Sequence, residues 1–324
     1  MLFLGNRASA GASAMLPHTA VTIVVAAAVA LAASAADAAA AVGGTFLRND
    51  HDPRGLAMAG ACVCLARGDA AVNWNPARLP YQEVRSLTVA HGDVIEHFSS
   101  GLTTISFAIP WGGEPNDEYG LGESARWAAA GLVSHFGLED VGDSADWSES
   151  SLSGAVSRTM WGYAAVGVVL KYLRVHSDVD EGCADGAAAD LGFSLNTTDR
   201  TRAALVVRNA FSSLRWDGGR DETLPAGVDV AFSYTHGALA AAETAVNLDA
   251  GGVAAASIGA ELSLAQGGLL IWGGFKIIND SSARYVPSFG VGLPLGGISV
   301  GYGASFDEED AFGTAQRFSV TASF

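Results

Sequence analysis

Charge is what this sequence has least of. Only 16% of its 324 residues are Asp, Glu, Lys or Arg, against roughly 25% in soluble domains. Positive charge is the scarcer kind: 18 Lys and Arg face 34 Asp and Glu, a formal charge of -16. A polyanion would be repelled, which excludes nucleic acid as a partner. Long hydrophobic runs are missing too. Beyond Ala38 no stretch reaches 18 consecutive apolar residues, so a helical membrane bundle is excluded. Cysteine is limited to Cys62, Cys64 and Cys183. The first two lie two apart on a stretch that looks extended (Ala61 to Ala66), without favourable disulfide geometry. Three readings stay open: small apolar fillers, a bridge from Cys183 to one of the pair, or metal ligation. The plainest is filler, so no metal or cofactor is expected. The seven histidines (His18, His51, His91, His97, His135, His176 and His236) form no H-x-x-x-H pair and accompany no G-x-S-x-G. No enzyme is expected.

What the chain has in quantity is glycine, 40 residues spread along its length, and an alternating apolar pattern. The N-terminus comes first. Arg7 precedes the apolar run Val21 to Ala33, and Ala36-Asp37-Ala38 follows, with Ser34-x-Ala36 as a rival cleavage site. A run of about 13 is short of the ~20 residues a spanning helix needs. Residues 1–38 are therefore expected to be a cleaved signal peptide, with Met15 an alternative start, and the mature chain to be exported.

From Val84 onward, apolar residues recur at every second position. They do so at Thr103-Ile105-Phe107-Ile109, Ala164-Val166-Val168-Leu170-Tyr172 and Ala203-Leu205-Val207. The pattern repeats at Val228-Val230-Phe232-Tyr234, Ile258-Ala260-Leu262-Leu264, Leu269-Ile271-Phe275-Ile277 and Ile298-Val300-Tyr302-Ala304-Phe306. Period two marks strands with one apolar face. The breaks are acidic: residues 114–123, 139–149, 177–186, 217–222 and 307–310. None has the spacing of a calcium loop, so they read as solvated connections. A membrane-spanning strand needs ~9–11 residues. Residues 84–324 then accommodate an antiparallel β-barrel of about 14 strands, with 12 as the rival count, an even number being expected. A soluble sandwich is disfavoured. The parity opposite the apolar one is largely Gly, Ala, Ser and Thr with a few charges, which suits a lumen better than a water-facing exterior. Tyr172, Tyr234, Trp272, Phe306 and Phe324 gather near strand ends, as interface girdles do.

The chain finishes QRFSVTASF, alternating to its last residue. A last strand that pairs with the first leaves no unpaired edge in lipid, and Phe324 would sit at the membrane interface.

Residues 39–83 break the rhythm. Asp52-Pro53 and Asn75-Pro76 each place a capping side chain before a proline at the first helical position. Asp69 is expected to cap a third short turn, and Pro80 to stop the last one. A barrel of about 14 strands is too wide for its own side chains to fill, so a compact segment of this kind is a natural plug.

The run Arg54-Gly55-Leu56-Ala57-Met58-Ala59-Gly60-Ala61, then Asp69-Ala70-Ala71, then Asn75-Pro76-Ala77 with Leu79 behind, resembles the amino-terminal signature of the FadL-like superfamily of outer-membrane barrels. The closing strands (GAELSL, GGFKI, FGVGLPLGGISVGYGASF and RFSVTASF) resemble its shorter PorV/PorQ-type members, associated with type IX secretion. The resemblance implies a 14-stranded wall in a Gram-negative outer membrane with residues 39–83 folded into the lumen as a hatch. Its hatch residues here would be Arg54, Met58, Gly60, Asp69, Asn73, Asn75 and Pro76. The loops are shorter than those of fatty-acid transporters, and Arg78 stands where the superfamily often has Gly.

Charges within strands must face the lumen, because Arg or Lys in mid-bilayer costs about 2–4 kcal/mol. Parity sends Lys171, Arg202, Arg208, Asp229, Glu261, Lys276 and Arg317 inward. Two readings are open. These residues pair with one another and with hatch groups such as Asp69, or a basic lumen attracts an anionic solute. The expected function is a plugged channel for small hydrophobic or anionic solutes. The alternative is a docking or scaffold barrel for a secreted or surface protein. Outer-membrane lipid is the surrounding partner in both.

Overall fold

The computed structural model describes residue 47 and residues 50–94, 99–112, 126–139, 146–160, 163–178, 182–249, 252–279, 283–307 and 313–324. The signal-peptide expectation for residues 1–38, the start of the 39–83 segment and the acidic break at 114–123 fall outside them.

Fourteen strands make the wall. They are β1 (Ser86–Gly92), β2 (Ser99–Trp111), β3 (Trp127–Glu139), β4 (Trp147–Met160), β5 (Ala164–Ser177), β6 (Cys183–Asn196) and β7 (Thr201–Trp216), then β8 (Gly227–His236), β9 (Ala240–Asp249), β10 (Gly252–Leu264), β11 (Leu269–Asn279), β12 (Ala283–Leu295), β13 (Ile298–Asp307) and β14 (Gly313–Ser323). A two-residue strand, Asp221–Glu222, pairs with β7 beside the wall. Each wall strand is antiparallel to its sequence neighbours, and β14 pairs with β1 from Ser86↔Ser323 to His91↔Phe318, closing the ring. The terminal Phe324 extends that seam by exchanging backbone hydrogen bonds with Arg85, both 3.0 Å.

Alternation explains the closure. Leu87, Val89, Ile105, Phe107, Leu152, Leu170, Phe232, Ile258, Val291, Phe318 and Val320 are exposed on the outer face. Thr104, Ser106, Ser134, Ser151, Ser153, Ser194, Ser233 and Ser319 are buried on the inner one. No soluble fold leaves so continuous an apolar belt facing outward; hydrocarbon is its solvent. One girdle assignment is corrected: Trp272 points inward, because β11 parity puts Ile271 and Phe275 outside, and its indole donates to Glu261 at 2.9 Å.

Inside the ring lies a compact inner segment, residues 50–81. It comprises helix α1 (Pro53–Ala57), a 3-10 turn at Gly68–Ala70, helix α2 (Ala71–Trp74) and a 3-10 run Pro76–Tyr81. Asp52 caps α1 by accepting from Gly55 N (2.8 Å), and Asn75 Oδ1 accepts from Ala77 N (3.0 Å). Gly60 ends the first turn with φ +82°, a conformation that suits glycine. Three expectations change. Asp69 sits inside its turn and caps nothing there. Pro80 lies within its 3-10 run, which ends at Tyr81 with Gln82 as its C-cap. Residues 63–65 form a turn instead of an extended stretch. All three cysteines are free: Cys62 and Cys64 are buried in the segment, whereas Cys183 begins β6 beside His176.

Candidate functional site

The site is the contact between the inner segment and the wall. Wall glycines make room for it. A Cβ at Gly303 would fall 2.1 Å from the Pro53 carbonyl oxygen, at Gly274 2.3 Å from Met58 C, and at Gly192 2.4 Å from Asn75 Oδ1. At Gly303 and Gly274 the backbone of the segment therefore touches the backbone of the wall, and at Gly192 the Asn75 side chain does, which no larger residue permits. Around these contacts Met58, Cys62, Leu65, Val72, Trp74 and Leu79 pack with the inward Ala108, Ala128, Leu132, Val169 and Trp272.

Polar latches fix the orientation. Glu243, 1% exposed on β9, collects three successive backbone amides: Val63 N at 2.6 Å, Cys64 N at 3.0 and 3.1 Å to its two oxygens, and Leu65 N at 2.9 Å. That carboxylate is what bends residues 63–65 into a turn. Glu261 on β10 takes Arg54 Nε at 2.7 Å and Arg67 at 3.0 Å, and Arg54 also donates to the Leu65 carbonyl at 2.9 Å. Asn75, fully buried, donates to the carbonyls of Val63 (3.1 Å) and Phe193 (3.3 Å). Asp69 accepts from Thr88 Oγ1 at 3.1 Å and from Ser106 Oγ. Arg208 donates to the carbonyls of Asn73 and Trp74 while pairing with Asp229 at 2.8 Å.

Burial pushes the Asp52 carboxyl above its ordinary value, against the pull of the Trp74 indole and the Gly55 amide. Burial, with Arg202 nearby, lowers Arg78 to about 10. Its guanidinium lies 4.3 Å from the centre of the Tyr81 ring. Burial also raises both Cys62 and Cys64, so these thiols stay neutral and unreactive.

The residues singled out from the sequence are thus brought together unevenly. Arg54, Asp69, Asn73 and Asn75 contact the wall by hydrogen bonds, Met58 and Pro76 through the glycines of the wall, and Gly60 by proximity to Lys276 and Ser257. Lys171 pairs with Asp190 at 2.7 Å. Arg317 serves carbonyls: Asp50 at 3.1 Å, Asp93 and Gln316 at 2.7 Å. Arg202 is the acceptor side of a Cys64 contact through its carbonyl, and it belongs to no ion pair among the described residues. Asp69 meets hydroxyls, not a basic residue of the lumen.

The expected excess of inward bases is corrected by three acids the sequence reading missed: Glu149, Asp190 and Glu243 are all buried on the inner face. Part of the outer face in each of their strands is small: Ser148, Ser150 and Gly154 in β4, Ala187 and Ala189 in β6, and Ala240 and Ala242 in β9. Parity counted from Leu152 and Val156 in β4, and from Leu191 and Phe193 in β6, could have found Glu149 and Asp190; β9 offers no such marker near Glu243.

A cavity of about 360 Å³ lies between the segment and strands β1 to β3 and β10 to β14, on the side where the chain enters β1 and leaves β14.

No protein-family model matches the sequence, and a search of curated proteins finds no match. Solved structures do resemble the fold. A monoaromatic hydrocarbon channel, CymD, aligns with TM-score 0.61 at 13% identity over 84% of this chain and 97% of its own. A Pseudomonas aeruginosa FadL homologue gives 0.57 at 11% over 84% and 98%. The P. putida toluene transporter TodX gives 0.54 at 12% over 84% and 96%.

Proposed function

We propose that this protein is a plugged outer-membrane channel for small hydrophobic solutes, with the inner segment, residues 50–81, as its hatch. The observation that carries the reading is the way the inner segment is held. It rests on wall glycines and is fixed by a few side-chain latches, with no strand pairing to the wall among the described residues. Such a plug can leave its seat without breaking the barrel. Toluene and monoaromatic hydrocarbons are what the structurally similar TodX and CymD carry, and this supports the solute class. We favour apolar over anionic solutes because Lys171, Arg208, Arg54 and Arg67 are each engaged by a carboxylate.

The test is a reversible lock. Asp69→Cys with Ser106→Cys joins two side chains already in contact. Purified barrel in liposomes is expected to pass small aromatics when reduced and to lose that flux when oxidised. Flux insensitive to the lock would remove the hatch from the mechanism. No flux in either state would overturn the channel reading.

Short connections favour a second reading, a docking barrel of the PorV/PorQ type. Between Asn279 and Ala283, for example, only three residues intervene. A stoichiometric protein recovered with the barrel from intact envelopes would support it.

A further inference from the structure

We propose that the cavity on the β1-entry side of the hatch binds small neutral aromatics bearing one hydroxyl, solutes of the phenol class; this rests on the channel reading above. The space is ample: the cavity measures about 360 Å³, and roughly 150 Å³ is enough to hold benzene. Leu132, Leu270, Trp272 and Pro294 line it. The Trp272 ring is held in place by its bond to Glu261, so an aromatic wall exists before any ligand arrives.

The polar end decides the ligand. Gln82 and Ser86 line the same cavity, and Gln82 Oε1, Gln82 Nε2 and Ser86 Oγ are buried with no hydrogen-bond partner. So is Nη2 of Arg54, another lining residue. Gln82 and Ser86 are neighbours across Gly68, whose Cβ would lie 3.3 Å from Ser86 Oγ and 3.9 Å from Gln82 Oε1. A primary amide offers one acceptor and two donors. A phenolic hydroxyl, which gives one hydrogen bond and takes another, satisfies both halves once the amide turns to meet it. A hydrocarbon satisfies neither half, and a carboxylate can only accept.

Charge points the same way. The lining guanidiniums, Arg54 and Arg67, share Glu261. The carboxylates Asp52 and Asp69 are taken by Trp74, Gly55, Thr88 and Ser106. Three carboxylates, Asp52, Asp69 and Glu261, therefore face two guanidiniums, and an anion would shed its hydration to enter a lining of net negative charge. A neutral ring avoids that cost.

Phenol, toluene and benzoate are titrated calorimetrically into the purified full barrel in detergent. Ser299→Trp, which fills the cavity, measures partition into the micelle. Wild type is expected to bind phenol about tenfold more tightly than toluene or benzoate, the worth of one net hydrogen bond. Gln82→Leu should bring phenol and toluene level, and Ser299→Trp should abolish binding of both. Toluene or benzoate equal to phenol on the wild-type protein would overturn the proposal, whatever the variants do. So would a phenol preference that survives Gln82→Leu. Binding with this ranking but without flux would refute the channel and leave the site standing. Flux without the ranking would do the reverse.

Discussion

Replacing Glu243 with Ala should loosen the inner segment where residues 63–65 meet the wall. The carboxylate is the sole acceptor shown for three consecutive amides, at 2.6 to 3.1 Å, and it is 1% exposed. Each buried donor left unmet costs about 1–3 kcal/mol. Three of them give an upper range of about 3–9 kcal/mol, which water entering the vacated space reduces, and we take about 3 kcal/mol as the working value. That is on the order of a hundredfold in the local opening equilibrium. Glu243→Gln keeps one carbonyl oxygen and turns a donor toward the amides, so it should lie between wild type and Ala. Hydrogen exchange read on peptides covering residues 58–67 measures the opening, with β2 to β5 amides as the internal standard. Flux through the barrel should rise alongside. If exchange at 63–65 stays at the wild-type rate in the Ala variant while the wall is intact, the latch argument is refuted.

Asn75→Ala removes the cap on Ala77 and two donors to buried carbonyls. Cap loss alone costs about 1 kcal/mol, so limited proteolysis should cut between residues 60 and 80 at least several times faster. Gly303→Ala sets a methyl where the Pro53 carbonyl now lies. Heat-modifiable gel mobility should show a folded barrel, while exchange at residues 52–58 rises to that of an undocked segment; slow exchange there would show that the wall yields instead. Removing Phe324 deletes both backbone bonds to Arg85 and the last outward ring of the seam. The folded fraction recovered from membranes should fall by more than half, and an unchanged yield would count against that terminus as a closure element.

Much of the fold is legible in the sequence. Where the outer face is bulky, as in β2, β5, β8 and β13, period two announces the strand, and length with an even count favours 14 strands over 12. β9 is harder. Its outward residues include Ala240 and Ala242, so hydropathy barely alternates and Glu243 has no marked parity to declare it lumenal. The turn at 63–65 is illegible for a different reason: its cause lies about 180 residues away on the wall. Capping is local, which is why Asp52 and Asn75 could be assigned from their neighbours, whereas Asp69 looked like a cap and turned outward to Thr88 and Ser106 because the wall supplied better donors. The cavity could not be read at all, since its lining comes from segments distant along the chain.

Arg317 binds three places into one. From β14 it holds the carbonyl of Asp50 in the inner segment and the carbonyl of Asp93 just past β1. The junction of β1 with β14 joins the two most remote parts of the wall, and β1 is a short strand of seven residues. Ring closure there is the step with the greatest loss of chain entropy. A chain that folds its inner segment early therefore carries its own brace to that junction, and the cork is also the buckle. Variants that unseat it should be slower to assemble, quite apart from any leak they cause.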